Sequence, residues 1–241
     1  MVTADATAVG RARVSGLTDR QRSLAARLAV AGSLASADLQ PPGLPPAAIL
    51  IIDRLDASRQ PLPLRPGGRV DPAWERATRA AVADLHRCAV HPIDSPPPAG
   101  CQAVLFRDEA ELLACLALDA SLGRASERWW WRSYLRRWGR LTPDVLAALL
   151  AESPRATPAA LRLLAERDAA RLVLQRLTPA EAQQVIEAVC VAFDAPQLAQ
   201  AAIGRHQHRV TPRSGPVHAG ETEHFAPPWQ PFTPPQTRLS G

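Results

Sequence analysis

Residues 108–140, DEAELLACLALDASLGRASERWWWRSYLRRWGR, constrain this chain more than any other stretch. Asp108 with Glu111 three residues on has the spacing of a helix capping box. Leu112, Leu113, Leu116 and Ala120 then follow at helical intervals and are expected to face inward. Gly123 breaks this helix, and Ser126 is the expected cap of a second one. The second carries Trp129, Trp130, Trp131, Tyr134 and Trp138, interleaved with arginines. Four of the 6 Trp and the only Tyr of the chain lie here. Six Arg and one Glu between Arg124 and Arg140 leave a surplus of five positive charges, which equals the net charge of +5 for all 241 residues.

The remaining composition favours helices. Hydrophobic residues make up 46%, much of it Ala and Leu, while aromatics are only 5%. The 24 Pro gather in connections and near the C-terminal end, so the helices are short. The sequence has no Lys and no Asn, so all 28 basic residues are Arg. Each positive charge is therefore a planar fork able to stack on an aromatic ring. Without Lys there is no phosphate-loop lysine, Schiff base or Ser-Lys dyad, and without Asn there is no glycosylation sequon. Cys88, Cys101, Cys115 and Cys190 form no CxxC pair, which points to a reduced, cytoplasmic protein. The first sixteen residues lack the apolar core of a signal peptide, and no run of about eighteen apolar residues is present.

The pattern divides the chain into a disordered start (1–17), a helix–strand–helix unit (18–100), a helical domain (101–205) and a disordered Pro- and His-containing tail (206–241). Thr18 with Gln21 opens a helix along which Leu24, Leu28, Ala31 and Leu34 or Ala35 recur, ending by Leu39. Ala47–Leu55 holds the clearest strand, Ile49 to Ile52. Pro61–Gly68 is a loop or a poor edge strand. Asp71-Pro72 opens a helix lined on one face by Trp74, Ala77 or Thr78, Ala81, Leu85 and Cys88. Ile93–Gly100 is a linker, and Gln102–Phe106 is a second short strand that pairs with the first; parallel pairing through the intervening helix would be right-handed. Thr142-Pro143, Thr157-Pro158 and Thr178-Pro179 each start an Ala/Leu helix with Thr as cap, Glu181 completing a box at the third. The expected spans are 143–152, 158–176 and 179–193, with a shorter helix from Pro196. The fold class is mainly α: short helices in an array, a small two-strand α+β element in the N-terminal half, and the C-terminal tail.

The Arg/Trp helix is the leading candidate site. Trp131, Leu135 and Trp138 share one face, with Trp130 and Tyr134 one position away. Arg128, Arg132, Arg136 and Arg140 form an i, i+4 ladder on the flank. Three consecutive Trp do not all point into one core, so at least one is expected to meet another surface, a ligand or an Arg plane. One reading is a core anchor with a solvated basic flank. The functional readings are a protein interface, a nucleic-acid surface and an anionic membrane surface. The protein interface is preferred, because the Arg residues are confined to one segment and the rest of the chain is balanced. The partner-binding residues are then Arg128, Trp129, Trp130, Trp131, Arg132, Tyr134, Arg136 and Trp138.

Other clusters carry less chemistry. His86, Cys88, His91 and Cys101 match no common zinc spacing. His206, His208, His218 and His224 lie in the tail, as do the apolar spots Phe225 and Trp229 to Phe232. Asp108, Glu109 and Glu111 are accounted for by the cap and dipole of one helix. No G-x-S-x-G, G-x-G-x-x-G or H-E-x-x-H motif occurs. No catalytic residue, cofactor or metal is assigned.

The order of motifs resembles the N-terminal region of tape-measure-like proteins of bacterial contractile injection systems, which are phage-tail-like puncturing devices. The matching residues are Ile52–Leu55 (IDRL), Phe106–Glu111 (FRDEAE) and Arg128–Tyr134, within residues 47–195. The resemblance implies a non-enzymatic structural or assembly protein, tape-measure-like or accessory, with tube, sheath or baseplate subunits as partners. Even one continuous helix of this length would span only ~360 Å, which favours the accessory role. The alternative is a nucleic-acid-binding regulatory protein that uses the Arg/Trp helix.

Overall fold

The structure is a computed structural model that describes residues 24, 28, 30–34, 36–55, 71–195 and 197. All of them belong to one unit, Met1–Ile203. The chain is mainly α, with one two-stranded sheet: β1 (Ile49–Ile52), α1 (Pro72–Arg87), β2 (Ala103–Phe106), α2 (Glu109–Ser121), α3 (Arg132–Trp138), α4 (Leu146–Glu152), α5 (Thr157–Ala165), α6 (Ala170–Leu174) and α7 (Pro179–Ala192). Single 3-10 turns at Ala125–Glu127, Trp129–Trp131 and Pro143–Val145 fill the joints. Among the described residues no helix is long and apolar enough to cross a membrane. The Thr18/Gln21 box, Pro61–Gly68 and the four tail histidines lie outside the described residues, as does almost all of the helix expected from Pro196.

The α2 helix is the axis of the fold. The Asp108 side chain accepts from the Glu111 N–H at 2.8 Å. The other half of the expected box is displaced by one residue: the Glu111 carboxylate accepts from the Arg107 N–H at 3.0 Å rather than from Asp108. At the far end the Arg124 N–H donates to the Asp119 carbonyl and the Gly123 N–H to that of Ala120. Gly123 has φ of +70°, so this is a Schellman stop at the glycine. Leu112, Leu113, Leu116 and Ala120 are buried as expected, and so are most residues between them, because α2 is covered on two sides.

One side of α2 (Ala110, Leu113, Ala114, Ala117) packs on Leu146, Ala147, Leu150, Ala160, Leu164, Val173 and Val185 of α4 to α7. The other side (Leu112, Cys115, Leu116, Ala120) packs on Val104, Phe106, Trp130, Trp131, Leu141 and Leu149. One helix therefore separates an Ala/Leu cluster from an aromatic one.

Several expectations change. The two strands pair antiparallel, with Ile49 opposite Phe106 and Ile52 opposite Ala103. The parallel partner of β2 is instead Val90, just after α1, whose N–H donates to the Ala103 carbonyl (3.2 Å) and whose carbonyl accepts from Leu105 (3.0 Å). On α1 the buried stripe is Trp74, Thr78 and Val82. It does not reach Cys88, which is exposed at the C-cap, where the helix has already ended.

The Thr-Pro device holds fully at Thr178, where both halves of the capping box form. At Pro143 it begins a 3-10 turn without a side-chain cap. Thr157 is the first helical residue rather than the cap, and its buried hydroxyl donates toward the carbonyls of Leu150 (2.7 Å) and Ser153 (3.0 Å). The helix expected over 158–176 is two helices. Asp168 adopts φ of +56° between them, and the Ala169 N–H closes back on the Leu164 carbonyl at 2.8 Å. Asp is among the few residues that tolerate this left-handed geometry, so a break without Gly or Pro escapes a pattern reading.

Candidate partner-binding site

The expected Arg/Trp helix is not one helix. Residues 125–127 and 129–131 are 3-10 turns, and only Arg132–Trp138 is α-helical. Ser126 lies inside the first turn and caps nothing; Arg128 and Trp131 occupy the cap positions without side-chain bonds. The four-membered Arg ladder is thereby cut. Arg128 precedes the helix, and Arg140 follows Gly139, whose φ is +72°.

The 3-10 stretch explains how three consecutive Trp reach one cluster. Its tighter turn sets successive side chains about 120° apart, and the rings then fold onto each other. Trp131 is 0% and Trp130 4% exposed, while Trp129 is half-buried against the same cluster. As expected, not all three rings lie in the core: two do, and the third is partly exposed. Trp131 stacks on Phe106 at 5.6 Å and 29°. Its indole N–H donates to Asp119 Oδ2 at 2.8 Å. Trp130 meets Trp131 edge-on at 6.3 Å and Trp129 meets Trp130 at 5.5 Å. Tyr134 lies edge-on to Trp131 at 5.9 Å. Burial pushes the Tyr134 hydroxyl above its ordinary 10.0, with Glu109 and Glu152 adding to the effect and Arg137 opposing it.

The arginines fall into two groups. Arg132 and Arg137 are bound internally, to Asp53 at the end of β1 and to Glu152 at the end of α4, each at 2.6 Å. Arg128 stands over the Trp130 ring at 5.4 Å, and Arg137 over Trp138 at 5.7 Å, so the Arg plane expected to meet a Trp is present. Arg124, Arg136 and Arg140 are exposed and pair with no carboxylate among the described residues. Arg128 Nε, Trp130 Nε1 and Trp138 Nε1 are buried donors that meet no acceptor among the described residues. The polar character of the segment is therefore that of donors and positive charge.

Of the eight residues singled out, Trp130 and Trp131 are core. Tyr134 and Trp138 are half-buried supports, and Arg132 is a tether to β1. Arg136 is exposed, and Arg128 and Trp129 are partly exposed. Arg124, next to Gly123, belongs with them, although its place outside the helical ladder gave no signal.

The other clusters do not assemble. Cys88 is exposed, the Cys101 thiol donates to the Ala103 carbonyl at 3.0 Å, and His91 Nδ1 stands 3.7 Å from Glu111 Oε1. Among the described residues no three His, Cys, Asp or Glu side chains are grouped to hold a metal ion. Burial, reinforced by Glu111 and then Asp119, pushes the Cys115 thiol from its ordinary 9.0 up to about 12, so it remains a neutral core side chain.

One polar network was not legible in the sequence. Asp94 accepts from Arg107 (2.9 Å) and from Arg167 (3.1 Å), tying the 91–95 turn to the start of α2 and the end of α5. Asp94 and Arg167 are 73 positions apart, and neither sits in a motif.

No family model matches the chain, and searches of curated proteins and of solved structures likewise found no match.

Proposed function

We propose that this chain is a non-enzymatic structural or assembly protein, tape-measure-like or accessory, of a phage-tail-like contractile injection system. It acts through protein–protein contacts at the Arg/Trp segment. The observation that carries the reading is the division of that segment: Trp130 and Trp131 form a core anchor while Arg124, Arg136 and Arg140 remain exposed. A buried aromatic base that holds Arg and Trp at its edge resembles the centre of a protein interface, where these residue types dominate the binding energy. The order IDRL, FRDEAE and RWWWRSY along the frame adds the resemblance to the injection apparatus.

The test is an affinity pull-down of tagged full-length protein from the native bacterium at low and high salt, read by mass spectrometry. Retention of tube, sheath or baseplate subunits at both salts is the expected outcome. Loss of those subunits when Trp129 is changed to Ala, with helix content unchanged, locates the contact. Nucleic acid that is recovered at low salt and disappears at high salt would replace this reading with the regulatory one.

A further inference from the structure

We infer that the 124–140 segment docks on an acidic surface of a partner protein, through Arg124, Arg128, Arg136 and Arg140. The inference rests on the assembly reading above and adds the chemistry of the partner.

The first argument is charge. The segment holds six Arg and one carboxylate, Glu127. The fold neutralises two of the six, Arg132 through Asp53 and Arg137 through Glu152. The other four meet no carboxylate among the described residues, and Arg124, Arg136 and Arg140 are exposed. The complement of such a surface is a set of acceptors with negative charge.

The second argument separates carboxylates from phosphates. Proteins that track nucleic acid combine an extended line of cations with aromatic faces on which bases stack. Here the faces of Trp130 and Trp131 are occupied. Trp131 is stacked on Phe106, Trp130 is 4% exposed beneath Arg128, and Trp129 stands edge-on to Trp130. The cations do not run in line either, because α3 is seven residues, about 10 Å long, and the chain turns at Gly123 and Gly139. Cations confined to one short, turning segment fit a local cluster of Asp and Glu, which the flat guanidinium can grip at two points.

The experiment compares two triple variants with the same change in net charge. R124E/R136E/R140E alters the segment. R155E/R171E/R176E alters exposed arginines that also lack ion pairs among the described residues, but lie on other elements. Both are made in the full chain, and thermal melts establish that they fold. Binding is measured to poly-L-glutamate and to a DNA duplex of matched charge, and the pull-down from the native bacterium is repeated with each variant.

The segment variant is expected to bind poly-L-glutamate about tenfold or more weakly than the parent, and to lose its native protein partners. The control variant should retain both. Equal weakening by the two variants would overturn the inference, because attraction would follow net charge alone. DNA binding tighter than poly-L-glutamate and abolished by the segment variant would overturn it in favour of nucleic acid. Apparatus subunits retained by both variants would leave the assembly role standing and refute the acidic contact. Localised poly-L-glutamate binding with partners unrelated to an injection apparatus would do the reverse.

Discussion

The two sides of α2 solve the same packing problem with different side chains. On one, Ala114, Ala117 and Ala160 let helices approach closely, and Leu and Val fill what remains. On the other, Phe106, Trp130 and Trp131 fill a space between the sheet and the Trp turns with large flat rings that have preferred angles. The first side tolerates many apolar residues but not an increase in size. The second depends on a few particular residues, with one indole hydrogen bond holding its largest side chain in place. Trp129, Tyr134 and Trp138 pack against the second side, and Arg128 stands over its Trp130 ring.

Trp131→Ala should give the largest effect. It empties a fully buried site and strands Asp119, and a loss of about 3–5 kcal/mol is expected in urea unfolding; a loss below about 1 kcal/mol would place Trp131 outside the core. Ala160→Leu tests the other side. Three extra heavy atoms would be forced into a helix contact with no exposure, at a cost of about 1–3 kcal/mol. A neutral result would mean that the Ala/Leu cluster is loosely packed and the contrast between the sides is false. Thr157→Val keeps shape but removes the hydroxyl that serves Leu150 and Ser153, and should cost about 1–2 kcal/mol, seen as a lower melting temperature.

Alkaline pH distinguishes the sides without a core cavity. Cys115 and Tyr134 both belong to the aromatic side, and both are raised in the folded state. Their contribution is complete below the ordinary thiol value of 9.0 and is lost as pH climbs toward about 12 for Cys115. Stability should therefore fall above about pH 9, and Cys115→Ala should flatten the fall; an unchanged slope in the variant would contradict the buried thiol. The smallest effect is Arg132→Gln. Its bridge to Asp53 is largely exposed, so about 0–1 kcal/mol is expected. A larger loss would show that the tether to β1, rather than the ring stack, holds the Trp turns in place.

Much of the frame was legible locally. The caps at Asp71, Asp108 and Thr178, the stop at Gly123 and both strands follow from residues within four positions of each other. The helical break at Asp168 was not, because left-handed Asp has no composition signal as strong as Gly. The Trp segment was misread as one helix for a related reason: helical spacing and two successive 3-10 turns share the same residues, and burial chooses between them.

The sequence by itself determined the mainly helical class, the short helices set by Pro and Gly, and the concentration of charge and rings in one segment. These depend on backbone geometry and side chains near in the chain. Only the tertiary structure decided that β1 and β2 run antiparallel, that Trp130 and Trp131 point inward, and that Arg132 and Arg137 are neutralised while Arg136 is not. Asp53 and Arg132 are 79 residues apart. Which cations remain available to a partner depends on which carboxylates folding brings beside them, and no local pattern encodes that pairing.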